Sequence, residues 1–273
     1  MNEIQVLFVW LDLVATTMLV GGLAYATFVE APQTRGRYAL HFACLLLGAT
    51  LAFEILLNAL RMQQISGING LTLVADVWEM KWSHWWALRV ATLGAIALGL
   101  RRAAPPWRIL LAIGSVCLLA RSFQGHAGAH GTIPALVDWV HLGAASLWVG
   151  GLLQLFLEPA PLPRTAPRAS GLFAIALGPL VLAGIYAARL HVGTLTRLVG
   201  TSYGRVLLGK LAVAALAVTI GALNRYRNLP ALARGGEIAN RRLVRAMRIE
   251  ILLLFIVLLL SAVLGVLLMP HAM

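Results

Sequence analysis

Apolar runs broken by proline, glycine and charge recur along the whole chain, and they predict membrane-length spans near 5–29, 38–61, 84–100, 107–123, 134–157, 170–188, 204–223 and 249–269. Runs such as LLLFIVLLLSAVLGVLL (252–268) approach the roughly 17–25 residues that cross a hydrocarbon core of about 30 Å. Helices are the usual way for one chain to satisfy its backbone in lipid, and these runs are too long and too evenly apolar for barrel strands. The predicted fold class is therefore all-α: a polytopic transmembrane bundle of about eight helices, a single integral membrane domain over residues 1–273. The stretch MNEIQVLFVWLDL has no Lys or Arg ahead of its apolar run and carries Glu3 and Asp12, so the first span reads as a retained helix rather than a cleaved signal.

Composition sharpens this picture. Hydrophobic residues make up 60% and charged residues 12%, with a mean hydropathy of +0.85, against about 45–50% and about 25% in soluble domains. Lipid is the solvent for most of this chain. The net charge of +12 does not point to nucleic acid, because the arginines sit in short loops between spans rather than on one continuous basic face. Counted on alternate sides, fourteen Lys and Arg fall on one side and eight on the other; the excess marks the cytoplasmic side and places both termini outside. The basic run 225–248 reads as the last inner loop. Segment 62–82, with Gly67, Gly70, Asp76, Glu79 and the clustered Trp78, Trp82, Trp85 and Trp86, reads as an outer re-entrant or interfacial piece. Cys44 and Cys117 both lie within spans, offer no CxxC motif, and read as small core residues.

On this map the metal-competent side chains gather at the outer face. His126 and His130 (GHAGAH) lie between the fourth and fifth spans, Asp138 and His141 in the first turns of the fifth, Met80 and His84 at the mouth of the third, and His191 beyond the sixth. Met269, His271 and Met273 end the chain on the same side, whereas His41 alone sits inside. Imidazole with nearby thioether suits copper ahead of zinc, magnesium or calcium. Met80 and His84 (i, i+4) and Asp138 and His141 (i, i+3) are each expected to share a helix face, with Asp138 orienting His141. Each group also has a plainer reading: solvated loop histidines, a tryptophan belt, a helix-end cap, a frayed tail. Asp12, Glu54 and Asn58 fall in the outer halves of the first two spans; Asp138, His141, Asp12 and Glu54 weigh more, since an Asp within a span costs about 2.5–3.5 kcal/mol on insertion scales and such groups usually face a partner or a wet cavity. Their alternative is a structural pair, with Arg121 or within the group, that locks helices. Small residues at 143–146 and at Gly150 and Gly151 allow close helix approach. No Walker motif, nucleophile elbow or HExxH occurs, so the chain is not expected to be an enzyme.

Four segments in order, GHAGAH, DWVHLGAASLWVGGLL, SYGRVLLGKLAVAALAVTIGALNRYRNLP and RRLVRAMRIEILLLFIVLLLSAVLGVLLMP, resemble the copper resistance protein D (CopD) family of bacterial inner-membrane proteins, most closely over 121–270. The resemblance implies copper homeostasis at the inner membrane, taking periplasmic copper across or into it beside a periplasmic copper-binding protein of the CopC type. By position, His126 matches the family's GHA histidine, Asp138 and His141 its D-x-x-H, Trp148, Gly150 and Gly151 its W-x-G-G, and Tyr203, Gly204 and Lys210 its Y-G-x-x-L-x-x-K.

The resulting expectation is copper transport or handling, with His126, His130, Asp138 and His141 at an outer site and His84, Met80 or His191 contributing from neighbouring helices; homo-oligomerisation is compatible with it. One rival is a membrane protein binding haem b, for redox work or cytochrome assembly. The two histidines within spans, His41 and His141, fall near opposite faces, about 20 Å apart at 1.5 Å per residue, too far to share one haem; this rival therefore needs His141 with a loop histidine such as His84 or His191. The other rival is a non-transporting docking partner for a periplasmic copper chaperone.

Overall fold

A computed structural model describes residues 3–67, 71–158, 162–235 and 237–267; Met269, His271 and Met273 lie outside them. The long helices are α1 (Glu3–Phe28), α2 (Thr34–Ser66), α4 (Lys81–Leu100), α5 (Trp107–Gln124), α7 (Thr132–Leu157), α8 (Leu162–His191), α10 (Ser202–Leu223) and α12 (Glu237–Val266). Short helices α3 (Leu71–Glu79), α6 (His126–Ala129), α9 (Leu195–Gly200) and α11 (Leu229–Ala233) link them, and a π-helical turn (Asn224–Asn228) joins α10 to α11. Among the described residues seven helices are both long and apolar enough to cross a membrane. The remaining predicted span, the third in order, is α4; it has 20 residues, about 30 Å at 1.5 Å per residue, but it is less apolar, with Lys81, His84 and Arg89 in it.

The helices alternate in direction. At the end predicted to be outer, Arg61 Nη2 donates to Gln5 Oε1 and His126 Nε2 bonds the Gly265 carbonyl. At the opposite end Arg37 donates to the Leu100 and Arg102 carbonyls, the Gln33 N–H donates to Glu158, and Arg164 pairs with Glu30. α1 is the axis of the bundle. One core joins it to α2, α4 and α5, with Cys44 and Cys117 inside; the other joins it to α7, α8, α11 and α12. Most of α8 and α10 is left facing outward toward lipid.

Three boundaries differ from the predicted ones. α12 starts twelve residues ahead of the predicted 249, and α8 starts eight residues ahead of 170. The basic run 225–248 is thus largely helical rather than a loop, because arginine is a good helix former and its long stem can carry the charge to the interface. α2 runs on to Ser66, which shortens the predicted interfacial piece to α3 and the turn after it. Trp78 there is exposed, whereas Trp85 stacks on Phe123 at 4.7 Å and Trp86 donates to the Leu51 carbonyl.

With little hydrophobic drive between helices in lipid, close approach and internal polar bonds hold the bundle. α1 and α7 cross backbone to backbone: a Cβ on Gly21 would collide with the Ser146 carbonyl and Gly150, and one on Gly150 with the Thr17 carbonyl and Gly21. Gly151 instead faces the Phe173 ring of α8, and Gly143 meets nothing. Indole N–H groups brace other pairs, from Trp10 to the Phe255 carbonyl and from Trp139 to the Ser115 carbonyl.

A charged assembly centred on the buried Arg89 ties α1, α2, α4 and α5. Asp12 pairs with both Arg89 and Arg121, and Arg89, 1% exposed, also reaches Glu54 at 3.6 Å and Gln124 Oε1 at 3.1 Å. Gln124 Nε2 donates to Glu54 Oε1 at 2.9 Å, and the Thr50 hydroxyl lies 3.5 Å from Asp12. Asn58 bonds the Glu54 backbone carbonyl, not its carboxylate.

Two outcomes test this account. Gly150→Leu should destabilise the detergent-purified protein by about 1–3 kcal/mol or more, as overpacking does, while Gly143→Leu leaves its thermal midpoint within about a degree. Removing the central carboxylate by Asp12→Ala strands Arg89 and should cost about 3–5 kcal/mol; the same unfolding measurement should show a much smaller loss for Glu54→Ala, whose side chain is more exposed.

Candidate functional site at the predicted outer end

The predicted outer end is built by the start of α7, the ends of α5, α8 and α12, the start of α10, and the short α6 and α9. α6 is one turn held between Gly125 and Gly131, the latter at φ +115°. This turn carries His126 and aims it at the end of α12, where its Nε2 lies 2.9 Å from the Gly265 carbonyl. A carbonyl only accepts, so Nε2 holds the proton and Nδ1 keeps its lone pair.

His130, just after α6, meets His191, at the end of α8, with ring centroids 5.6 Å apart. The Tyr203 ring, buried near the start of α10, lies 6.3 Å beyond His191. Residues sixty-one positions apart thus converge because α6 caps one end of the bundle beside the α8–α9 turn. The sequence placed both histidines on one side but carried no sign of this pairing.

One to two turns deeper, Asp138 and His141 share a face of α7, as their spacing predicts. His141 Nδ1 lies 3.1 Å from the Leu180 carbonyl of α8, and its ring packs beside Gly184. The bond fixes Nδ1 as the protonated nitrogen and leaves Nε2 as the donor atom, the usual arrangement of a metal-binding histidine held by a neighbouring acceptor. Lys210 of α10 and Arg121 of α5 are the charged neighbours of Asp138, and Lys210 also neighbours His141. Arg121 therefore links this site to Asp12.

Met80 stands in extended backbone at the break before α4, so the helix face expected for Met80 and His84 starts only at Lys81. Its sulfur accepts from Trp82 Nε1 at 3.0 Å, and His84, exposed, packs edge-on to Trp78 at 5.8 Å. Both sit on the α3–α4 side, apart from the His130–His191 pair. Among the described residues no three His, Cys, Asp or Glu side chains are gathered as one metal cage. The histidines form a shallow pair, a single flanking His126, and a deeper Asp138–His141 step.

Trp148 belongs elsewhere. In the other half of the bundle its Nε1 donates to Glu250 Oε1 at 2.9 Å, and Asn224 Nδ2 donates to Glu250 Oε2 at 2.9 Å. Arg89, Gln124, Asn224 and Glu250 were absent from the sequence candidates. The signal for Glu250 was a lone acid in IEILLLF, but it stood at the apparent edge of the last span, where a charge needs no explanation.

Residues 163–264 match the family model described as Copper resistance protein D. Copper transport protein CutJ of Bacillus subtilis (strain 168) is 30% identical over 118 residues, which is 39% of this chain and 22% of that protein. Copper resistance protein D of Pseudomonas syringae pv. tomato is 28% identical over 178 residues, 57% of each chain. The chain thus spans less than two thirds of the length of either relative. No solved structure matches it. The family match falls on α8 to α12, the helices that carry His191, Tyr203, Lys210 and Glu250, and over that part the chain is similar to the copper resistance protein D family.

Proposed function

We propose that this protein moves copper at the bacterial inner membrane, accepting it from the periplasmic side at the His130–His191 pair. The observation that carries the reading is the convergence of these two imidazoles, 5.6 Å between centroids, from distant parts of the chain. Rings this close can each turn a nitrogen to one copper ion, for which imidazole is a suitable ligand. His126, with Nδ1 open, stands at the same end, and a periplasmic copper protein of the CopC type would deliver its cargo there. His141 Nε2, held ready by the Leu180 carbonyl, is the next donor inward. Lys210 beside it disfavours a resident cation, which suits a point of passage better than a storage site. The names of both relatives, one a copper transport protein and one a copper resistance protein, support the cargo. The arginine count supports the orientation, with both termini periplasmic.

Purified protein carrying His130→Ala and His191→Ala together should bind copper about tenfold or more weakly, a loss of about 1.4 kcal/mol or above, with a correspondingly lower copper content in expressing cells. His141→Ala should leave equilibrium binding near that of the unaltered protein and slow accumulation. Metal analysis and uptake assays that find all three substitutions silent would refute the reading.

A further inference from the structure

The second half of the bundle holds a partly open cavity of about 370 Å³ between α7, α8, α10, the π-turn and α12, within the range of small-ligand sites. Its wall is mostly apolar, from Leu152, Phe173, Leu177, Val218 and Met247, with Ser170, Asn224, Arg225 and Tyr226 as polar members beside one acid. That acid, Glu250, 3% exposed, presents its carboxyl there.

Three features set this carboxyl apart from Asp12. Its bonds within the bundle come from neutral donors, Trp148 Nε1 on one oxygen and Asn224 Nδ2 on the other, and no ion pair reaches it among the described residues. Asn224 is itself oriented, because its Oδ1 accepts from Asn228 Nδ2 at 2.7 Å. That bond joins the two ends of the π-turn, a local irregularity of a kind frequent at functional sites. Gly221 makes room for the carboxyl: a Cβ there would stand 3.0 Å from Oε1.

The charged surroundings are sparse. Arg225 of the π-turn lines the cavity, but its guanidinium donates to Ser170 Oγ of α8 at 3.1 Å; Tyr226 is the other titratable lining residue. α7 contributes Trp148, α10 contributes Gly221, and α8 and α11 add no ionisable side chain to the lining, while α1 adds none at all. On α12 itself Arg248 turns to the Phe156 ring. Ionisable groups inside a span mark ion or proton paths more often than structure when no opposite charge accounts for them.

We propose that Glu250 is a proton-exchange site, taking a proton from water in this cavity and returning it there. In the charged state the two N–H donors hold both oxygens; in the neutral state the carboxyl matches the apolar wall. The site therefore has two tolerable states with little rearrangement. A carboxyl so placed, on α12 beside a cavity that α7 and α8 of the proposed copper path also line, would couple proton movement to copper movement. Only this coupling rests on the proposed function; the proton site itself does not.

Dicyclohexylcarbodiimide reacts with protonated carboxyls in apolar surroundings and serves as the probe. Treatment of the purified full-length protein across about pH 5.5–8.5, spanning the range in which tuned carboxyls exchange, should give an adduct mapped by mass spectrometry to Glu250. Its yield should rise several-fold toward the acid end, with none on Glu54, which Arg89 holds in an ion pair. Glu250 unlabelled throughout, or labelled equally at every pH, overturns the site. In proteoliposomes, an imposed pH gradient should change copper flux in the unaltered protein and have no effect in Glu250→Gln, whose copper binding at the histidines stays intact. A gradient effect surviving in Glu250→Gln overturns the coupling. Copper flux absent from the unaltered protein overturns the copper reading and the coupling with it, while the labelling outcome still decides the proton site.

Discussion

Everything on the α2, α4 and α5 side of the bundle hangs on the charge cluster around Asp12. An arginine as buried as Arg89 has no water to solvate it, so it is tolerated only if its partners are fixed. Asp12 satisfies it and Arg121 together, and Glu54 and Gln124 close the ring. Four helices are thereby locked in register at one depth. α4 can be the least apolar of the spans because its one deeply buried charge is neutralised by a neighbour on the axis of the bundle. The plainer of the two readings of Asp12 and Glu54, a lock between helices, is the one this geometry favours.

The same constraint is met differently on the other side. There α7 approaches α1 through Gly21 and Gly150 until backbones touch, and polar bonding is left to Trp148, Asn224 and Glu250. One half is stapled by opposite charges, while the other leaves a carboxyl with no ion pair among the described residues beside a cavity. The family match falls on this second half.

Arg121 bridges the two. It pairs with Asp12 and neighbours Asp138, so the locked cluster and the deeper outer step share a cation. Substitutions in the lock therefore perturb the candidate site, and a loss of copper handling in such variants needs a folding control to be read.

The sequence alone determined the class of the fold and the side on which its chemistry is expected, because membrane length, apolar runs and arginine placement are one-dimensional quantities set by bilayer thickness and insertion. It also placed Asp138 and His141 on one face of α7, since i, i+3 spacing is local geometry, and it marked Gly150 and Gly151 as contact points. The order of helices around α1 lay beyond it. Apolar spans are nearly interchangeable by composition, so nothing local says that His130 meets His191, that Arg89 reaches Asp12, or that α12 turns Glu250 toward Trp148. The extent of α12 was hidden for a related reason: twelve residues rich in arginine look like a loop to a hydropathy pattern, although backbone hydrogen bonding continues through them. Pairings across the bundle are decided by which small residues allow contact and which buried charges must be neutralised, and both are properties of helices already packed together.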